Sequence, residues 1–288
     1  MKIKKSTGER IFDTFNILFF FTFSLATFYP FWHEVCISFS DKVNALRGGI
    51  FLWPRGFNVE AYKLVLSSQY LITAFTNSLF ITVLGVIISV MLGAGVAYLV
   101  SKKHLPGHKF LNMFIIISII FNGGIIPTYL IVKGTGLVDS LWALIVLAAC
   151  TPFNVVIMKN FFQNLPSSLE ESALMDGASP LLIFFRIVLP LSKPVLATVS
   201  IWVAVSQWND YMRGLIYLTD RSNYILPVLI RDIINGQSDV AGQEVMSESS
   251  TETVKAATII IALVPILMVY PFLQKHFTKG IMLGAVKG

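Results

Sequence analysis

The sequence predicts an all-α, polytopic membrane protein, and three observations carry that class. The first is composition: 55% of the 288 residues are hydrophobic and only 13% are charged. With a mean hydropathy of +0.72, the chain is too apolar for an ordinary soluble domain of its size. The second is the recurrence of apolar runs close to the roughly 20 residues a helix needs to cross a bilayer. Six stretches qualify, at 11–32, 73–100, 110–132, 141–158, 191–206 and 256–272. The third is the distribution of Lys and Arg, which stay on the cytoplasmic side of short loops.

The opening "MKIKKSTGER" is basic and precedes an apolar run. A secretory leader has that outline, but this run is of spanning length and lacks a small-residue cleavage site, so it reads as a retained first span. With the N-terminus inside, the inner segments hold Lys2, Lys4, Lys5 and Arg10, then Lys102, Lys103 and Lys109, then Lys159, Arg186 and Lys193, then Lys275, Lys279 and Lys287. The outer segments hold Lys42, Arg47, Arg55, Lys63, Lys133, Arg213, Arg221, Arg231 and Lys255. The bias gives both termini cytoplasmic, and an even span number agrees. The expected organisation is a cytoplasmic N-terminus at 1–10, a six-helix membrane domain at 11–275 and a cytoplasmic tail at 276–288.

Two outer loops are long. The loop at 33–72 carries "GGIFLWPRGFN", an aromatic patch punctuated by Gly and Pro. The loop at 212–255 begins with "NYILPVLIRDIINGQ", where Ile225, Leu229 and Ile233 fall at i, i+4 and i+8 and predict a short amphipathic helix at the interface. The polar "SDVAGQEVMSESSTETVK" beyond it reads as solvated. Pro127, Pro152 and Pro265 fall within spans, where a static kink is the expectation.

The cytoplasmic stretch at 165–190 has more grammar than a connector needs. Ser167 with Glu170, and Ser168 with Glu171, stand at capping-box spacing, predicting a helix to about Asp176. Gly177 is placed to end it with φ > 0. Ser179 and Pro180 then restart a helix as N-cap and first residue. This second helix carries Leu181, Leu182, Phe184, Phe185, Ile187 and Leu189 and stops near Pro190. So apolar a helix pair needs a cover. The protein's own membrane domain and a partner's groove satisfy that need equally well. Either way the segment is a rigid docking element.

Several function classes drop out. The net charge of +6 forms no basic stripe with interleaved aromatics, which argues against nucleic acid. No G-x-x-x-x-G-K-[ST] occurs, and "VKGTG" has the wrong order for a P-loop. Cys36 and Cys150 read as buried free thiols. His33, His104, His108 and His276 lack metal-ligand spacing. No nucleophile–base set stands out, so no catalytic residue is assigned. Polar residues in or beside spans are costly in lipid and face a path or a partner helix. Asn77, Asn122, Asn154, Gln207, Asn209 and Asp210 are these residues, with Tyr129, Trp142, Trp208 and Tyr211 as aromatic neighbours. A mixture of Asn and aromatics suits a glycan path. Helix–helix hydrogen bonding or an interfacial belt would use the same residues.

The run Glu171-Ser172-Ala173-Leu174-Met175-Asp176-Gly177, then nine residues, then Ile187-Val188-Leu189-Pro190 resembles the EAA loop of bacterial ABC importer permeases, E-A-A-x3-G-x9-I-x-L-P. Only Ser172 departs, small for small. The stretch "FNGGIIPTYLIVKGTGLVDSLWALIVLAACTPFNVVIMKNFF", the run "WNDYMRGLIYLTD" and the tail "KGIMLGAVKG" are similar to carbohydrate permeases of the maltose-transporter class. The likeness is strongest to the second-permease branch found with lipoprotein-anchored binding proteins, whose systems often import complex or uronate-containing oligosaccharides.

That resemblance implies a type I ABC importer permease fold with cytoplasmic EAA coupling helices, in the bacterial cytoplasmic membrane. It implies as partners a second homologous permease, two ATP-binding cassette subunits and an extracytoplasmic sugar-binding protein, with membrane lipid around them. It implies no cofactor on this chain, ATP and Mg belonging to the partner ATPase. Glu170, Glu171, Ala173, Asp176, Gly177, Ile187, Leu189 and Pro190 become the expected ATPase-coupling residues. The substrate-path candidates are Asn122, Tyr129, Asn154, Trp208, Asn209 and Tyr211. The alternative is a stand-alone secondary transporter or channel for a small polar solute. It needs no docking loop, and the inverted repeat of broken spans is not visible in the sequence.

Overall fold

The computed structural model describes residues 6–235 and 250–285, with side chains as far as residue 268. Among the described residues the chain is helix and turn, without strands. It divides into two compact units, one holding the chain up to Ser68 with Asp232–Val264, the other Gln69–Arg231 with the chain from Pro265 onward.

The first unit opens with α1 (Thr7–Ser38). Ser6 caps it: its hydroxyl accepts the Glu9 N–H at 3.2 Å while the Glu9 carboxylate accepts the Ser6 N–H at 2.7 Å. At 32 residues the helix is about 48 Å long, more than a bilayer core. Its Phe-rich length from Ile11 to Phe28 is exposed on every side, as a lipid-facing helix requires. Two short helices follow, α2 (Lys42–Arg47) and α3 (Glu60–Ser67). The "GGIFLWPRGFN" stretch between them is tied to the end of α1. Trp32 Nε1 donates to the Leu52 carbonyl at 2.9 Å, and Ser40 Oγ accepts the Arg55 N–H at 3.0 Å. Phe51 is the buried plug of this loop, with His33 edge-on to its ring.

The second unit is organised on α4 (Gln69–Ser101). Its buried face runs Ala74, Ser78, Ile81, Gly85, Ser89, Gly93 and Ala97, mostly small residues at helical spacing. Small side chains let neighbouring helices approach closely, which is how packing is achieved where lipid is the solvent. One core joins Ala94, Ala97 and Val100 of α4 to Val155, Met158 and Phe162, and to Val195, Val199 and Val203. A second joins Ile81 to Val132, Leu144, Tyr217 and Ile225.

Two of the expected spans are not single rods. The predicted span at 110–132 is α5 (His108–Ile120) and α6 (Ile125–Gly134), meeting at 115°. The break falls at "FNGG", not at Pro127. The Asn122 side chain takes the Gly124 N–H at 2.9 Å, offering the backbone a turn in place of the next helical bond. The span at 141–158 is α7 (Leu141–Ala148) and α8 (Pro152–Gln163), bent by 42° just before Pro152, where the residue preceding a proline leaves the helical region.

Beyond α9 (Ser167–Met175), the stretch Pro180–Leu191 turns by 81° into α12 (Lys193–Trp208). It comprises α10 (Pro180–Ile183), a π-turn at Phe184–Val188 and α11 (Leu189–Leu191). Pro190 explains the π-turn. Its ring would collide with the Arg186 carbonyl of an α-turn, and the wider turn, closed from Leu189 N–H to the Phe184 carbonyl, makes room. The remaining elements are α13 (Tyr211–Tyr217), α14 (Leu226–Ile234) and α15 (Thr251–Ala285).

Among the described residues three helices are long and apolar enough to span alone: α1, α4 and the Thr251–Met268 part of α15. Three bent pairs reach that length together. The helix expected around Ile225, Leu229 and Ile233 forms as α14, with all three side chains buried rather than lying on an interface. Cys36 is buried as expected, but Cys150 is exposed, because it lies in the break between α7 and α8. Lys2, Lys4, Lys5, Lys287, most of the polar run after α14 and the end of "KGIMLGAVKG" lie outside the described residues, as do the side chains of Lys275, His276 and Lys279.

Candidate functional site

The segment at 165–190 folds as helix, glycine turn, helix. Asp176 closes α9, Gly177 follows at φ +80°, the Gly177 N–H bonds the Leu174 carbonyl at 3.0 Å and the Ala178 N–H bonds the Ala173 carbonyl at 2.9 Å. This double closure is the Schellman motif, and its αL residue is why a glycine stands there. A β-carbon at Gly177 would meet no atom within 4 Å. Ser179 then caps the next helix, its hydroxyl accepting the Leu182 N–H at 3.3 Å ahead of Pro180.

The start of α9 departs from expectation. Neither Ser167 nor Ser168 caps the helix; both lie inside it, and Pro166 is the residue that precedes it. The physical reason is that Glu170 faces elsewhere. Its carboxylate forms an ion pair with Lys102 at the end of α4, each side chain only 19% exposed, and the Lys102 ammonium also lies 4.6 Å from the Tyr98 ring centroid. Glu170 is therefore an anchor within the chain, which sequence spacing did not reveal because its partner is 68 residues away.

The segment has two faces. Ala173, Ala178, Ile187 and Leu189 pack on the core that includes Ile183, Phe184 and Val188. Glu171, Leu174, Met175, Asp176, Leu181 and Phe185 are exposed, Met175 to 88%. The two adjacent phenylalanines divide between the faces. Phe184 is buried beside Tyr98, with ring centroids 5.2 Å apart, while Phe185 looks outward. Pro190 is exposed and shapes the turn.

The path candidates lie on several elements. Asn122 is exposed and serves the α5–α6 break. Tyr129 stacks on Tyr217 with centroids 6.1 Å apart, and Asn154 is buried on α8. Trp208 is buried edge-on to Phe75, centroids 5.8 Å apart. Asn209 is exposed, its amide donating to the Val205 carbonyl at 2.8 Å. The ring of Tyr211 carries the Arg231 guanidinium 5.8 Å from its centroid. Asp210 pairs with Arg213 at 2.6 Å and starts α13. Asn77 bridges the Ser222 and Tyr224 carbonyls, each at 3.0 Å.

Two further residues stand out: Gln207, already among the polar residues beside spans, and Asp139, which the sequence did not flag. Gln207 is 1% exposed and neither polar atom of its amide has a hydrogen-bond partner. It fits because Gly85 opposite has no side chain: a β-carbon there would lie 2.5 Å from Gln207 Nε2. Asp139, at φ +63°, binds the 217–223 turn. Its Oδ1 accepts the N–H groups of Thr219 at 3.0 Å and Asp220 at 2.9 Å, and its own N–H donates to the Tyr217 carbonyl at 2.7 Å. The Asp220 N–H, above the other donors around it, holds the Asp139 carboxyl below the usual carboxylate range.

Residues 4–282 match the family model described as "Binding-protein-dependent transport system inner membrane component". The chain is 42% identical over 286 residues to the polygalacturonan/rhamnogalacturonan transport system permease protein YtcP of Bacillus subtilis (strain 168), covering 97% of this chain and 99% of that protein. Protein LplC of the same organism is 42% identical over 282 residues, covering 97% and 96% respectively. A chain from the crystal structure of a bacterial ABC transporter involved in the import of the acidic polysaccharide alginate matches with a TM-score of 0.89 at 33% identity, covering 96% of this chain and all of that one.

Proposed function

The chain belongs to the family of binding-protein-dependent transport-system inner-membrane components, and from that premise we propose that this permease subunit passes an acidic oligosaccharide through the membrane, coupled to ATP hydrolysis on separate subunits through the segment at 165–190. The observation that carries the coupling is the two-faced build of that segment. Its inner face and the Lys102–Glu170 pair fix it to the end of α4 and to the core shared with α12. The outer face offers Glu171 and Asp176 among apolar side chains, as a surface that meets a cationic, partly apolar groove would. A push on the outer face then reaches the membrane helices without a flexible joint.

In this reading the bent pairs α5–α6 and α7–α8 each serve as one span and α12 is the fifth, making six with α1, α4 and α15, with both termini cytoplasmic. Residues 1–10 and 276–288 are the cytoplasmic ends of a membrane domain at 11–275. A second permease completes the path, two ATP-binding cassette subunits hold ATP and Mg, and an extracytoplasmic binding protein delivers the sugar. The acidic substrate class follows the polysaccharides for which the relatives are named, polygalacturonan and rhamnogalacturonan for YtcP and alginate for the crystallised transporter. It is supported by the Arg231 guanidinium over Tyr211, a cation and an aromatic ring side by side. Asn122, Tyr129, Asn154, Trp208, Asn209 and Tyr211 are the residues proposed to line the path. A stand-alone transporter would leave the exposed face of 165–190 without a purpose.

The test is uptake by the complex assembled with its ATPase and binding protein, using oligogalacturonides against neutral oligosaccharides of equal length. ATP-dependent accumulation of the acidic sugar, weakened by Trp208→Ala or Asn209→Ala with assembly intact, is the expected result. Equal uptake of neutral sugars would overturn the substrate class. Uptake without the ATPase would overturn the mechanism.

A further inference from the structure

The turn between α4 and α5 reads Lys103-His104-Leu105-Pro106-Gly107-His108-Lys109. Two Lys–His pairs thus flank a Pro-Gly turn, with Gly107 at φ +80° and the His108 N–H closing on the Leu105 carbonyl at 3.1 Å. Folding back brings like charges together, which is unfavourable unless something of opposite charge joins them. Neighbouring lysines have their partners. Lys102 is paired with Glu170, and Lys159 donates to the Asn112 side chain. Among the described residues Lys103 and Lys109 have no carboxylate partner. These two lysines, with Leu105, Gly107 and His108, line a shallow hollow of about 540 Å³. His108 is held in the wall by Asn112, whose amide lies 3.2 Å from a ring nitrogen and 2.9 Å from the His108 carbonyl oxygen.

What adjoins the hollow indicates the occupant's other end. From Phe110 onward α5 is an apolar helix with Phe110, Met113, Phe114, Ile117 and Ile120 all exposed. A cationic hollow at the root of a lipid-facing helix is where the headgroup of a lipid in that layer would lie.

We propose that residues 103–109 form a binding site for a phosphate-bearing anion, Lys103 and Lys109 supplying the charge and His108 a hydrogen-bonding wall, with an anionic phospholipid headgroup as the occupant that the surroundings favour.

The full chain, purified in neutral detergent, is titrated with dihexanoyl phosphatidylglycerol, dihexanoyl phosphatidylcholine and inorganic phosphate, and bound ligand is counted by native mass spectrometry. The same titrations are run on Lys103→Gln/Lys109→Gln and on a control, Lys193→Gln, after circular dichroism has verified that each keeps its helicity. The double variant is expected to lose about thirtyfold in phosphatidylglycerol affinity, the contribution of two surface lysines, while the control keeps it. Phosphatidylglycerol binding without phosphate binding assigns a lipid headgroup. Phosphate binding that vanishes in the double variant assigns the phosphate group itself. Equal binding of phosphatidylcholine and phosphatidylglycerol, undiminished phosphatidylglycerol binding in the double variant, or equal loss in the control would each overturn the site.

Discussion

Glu170 of α9 and Lys102 at the end of α4 form an ion pair that is mostly withdrawn from solvent, with the Tyr98 ring beneath the ammonium. The pair fastens the exposed helix of 165–190 to the longest helix of its unit. A carboxylate that sequence spacing assigns to a helix cap is paired inside the chain. The acidic side chains left exposed on the segment are Glu171 and Asp176.

Removing one member of this pair leaves the other charge partly buried and unmatched, a loss of roughly 1–3 kcal/mol. Lys102→Ala and Glu170→Ala are expected to lower the thermal midpoint of the detergent-purified chain and to reduce ATP-driven uptake. The exchange Lys102→Glu with Glu170→Lys should recover a good part of both. Full uptake in both single variants would show that the anchor is dispensable.

Gly177→Val should be more harmful than Gly177→Asn. Open space surrounds the position, so the cost within the subunit is conformational, about 1–2 kcal/mol for a side chain in the αL region, and Asn tolerates that region best. Affinity capture of the ATPase is the measurement. The expected order is wild type, Asn, Val, with membrane insertion unchanged in all three. Equal capture by Asn and Val variants would remove the turn geometry as the cause.

Gly85→Ala should destabilise the contact between α4 and α12, because its β-carbon would meet the Gln207 amide at 2.5 Å. Gln207→Ala should relieve the clash in the double variant. Alone it should cost little, since the amide has no hydrogen-bond partner to lose. Thermal unfolding of the four chains forms a double-mutant cycle with strong coupling expected. Additive changes would mean that the two side chains do not meet.

The turn held by Asp139 should be acid-sensitive. Its carboxyl titrates below the ordinary range when folded, so its contribution is complete above the unfolded value of about 3.9 and is lost as pH falls through that value to the lowered one. Asp139→Asn keeps an acceptor oxygen and tolerates φ > 0, so it should hold the turn while flattening this part of the pH profile. Asp139→Ala should loosen the 217–223 turn at every pH. Hydrogen exchange of the Thr219 and Asp220 amides from pH 2.5 to 6, corrected for intrinsic rates, reads all three chains. An unchanged acid response in the Asn variant would place the titrating group elsewhere.

Features that depend on near neighbours were legible along the chain. The Ser179-Pro180 helix start and the Gly177 terminator are decided by residues within a turn or two, and each is found where spacing puts it. The amphipathic period of Ile225, Leu229 and Ile233 was likewise enough for α14. Features that depend on distant groups competing for one side chain emerge with the folded packing alone. Ser167 and Glu170 satisfy the capping-box pattern, but a partly buried ammonium 68 residues away outcompetes a backbone N–H that water can serve. Hydropathy registers 110–132 as one span because it averages over the very residues, Asn122 to Gly124, whose local hydrogen bond breaks the helix. Gln207 stands out in the sequence as a polar residue beside a span, but nothing there joins it to Gly85, 122 positions away. Their meaning comes from the close approach of two helices, which no window along the chain contains.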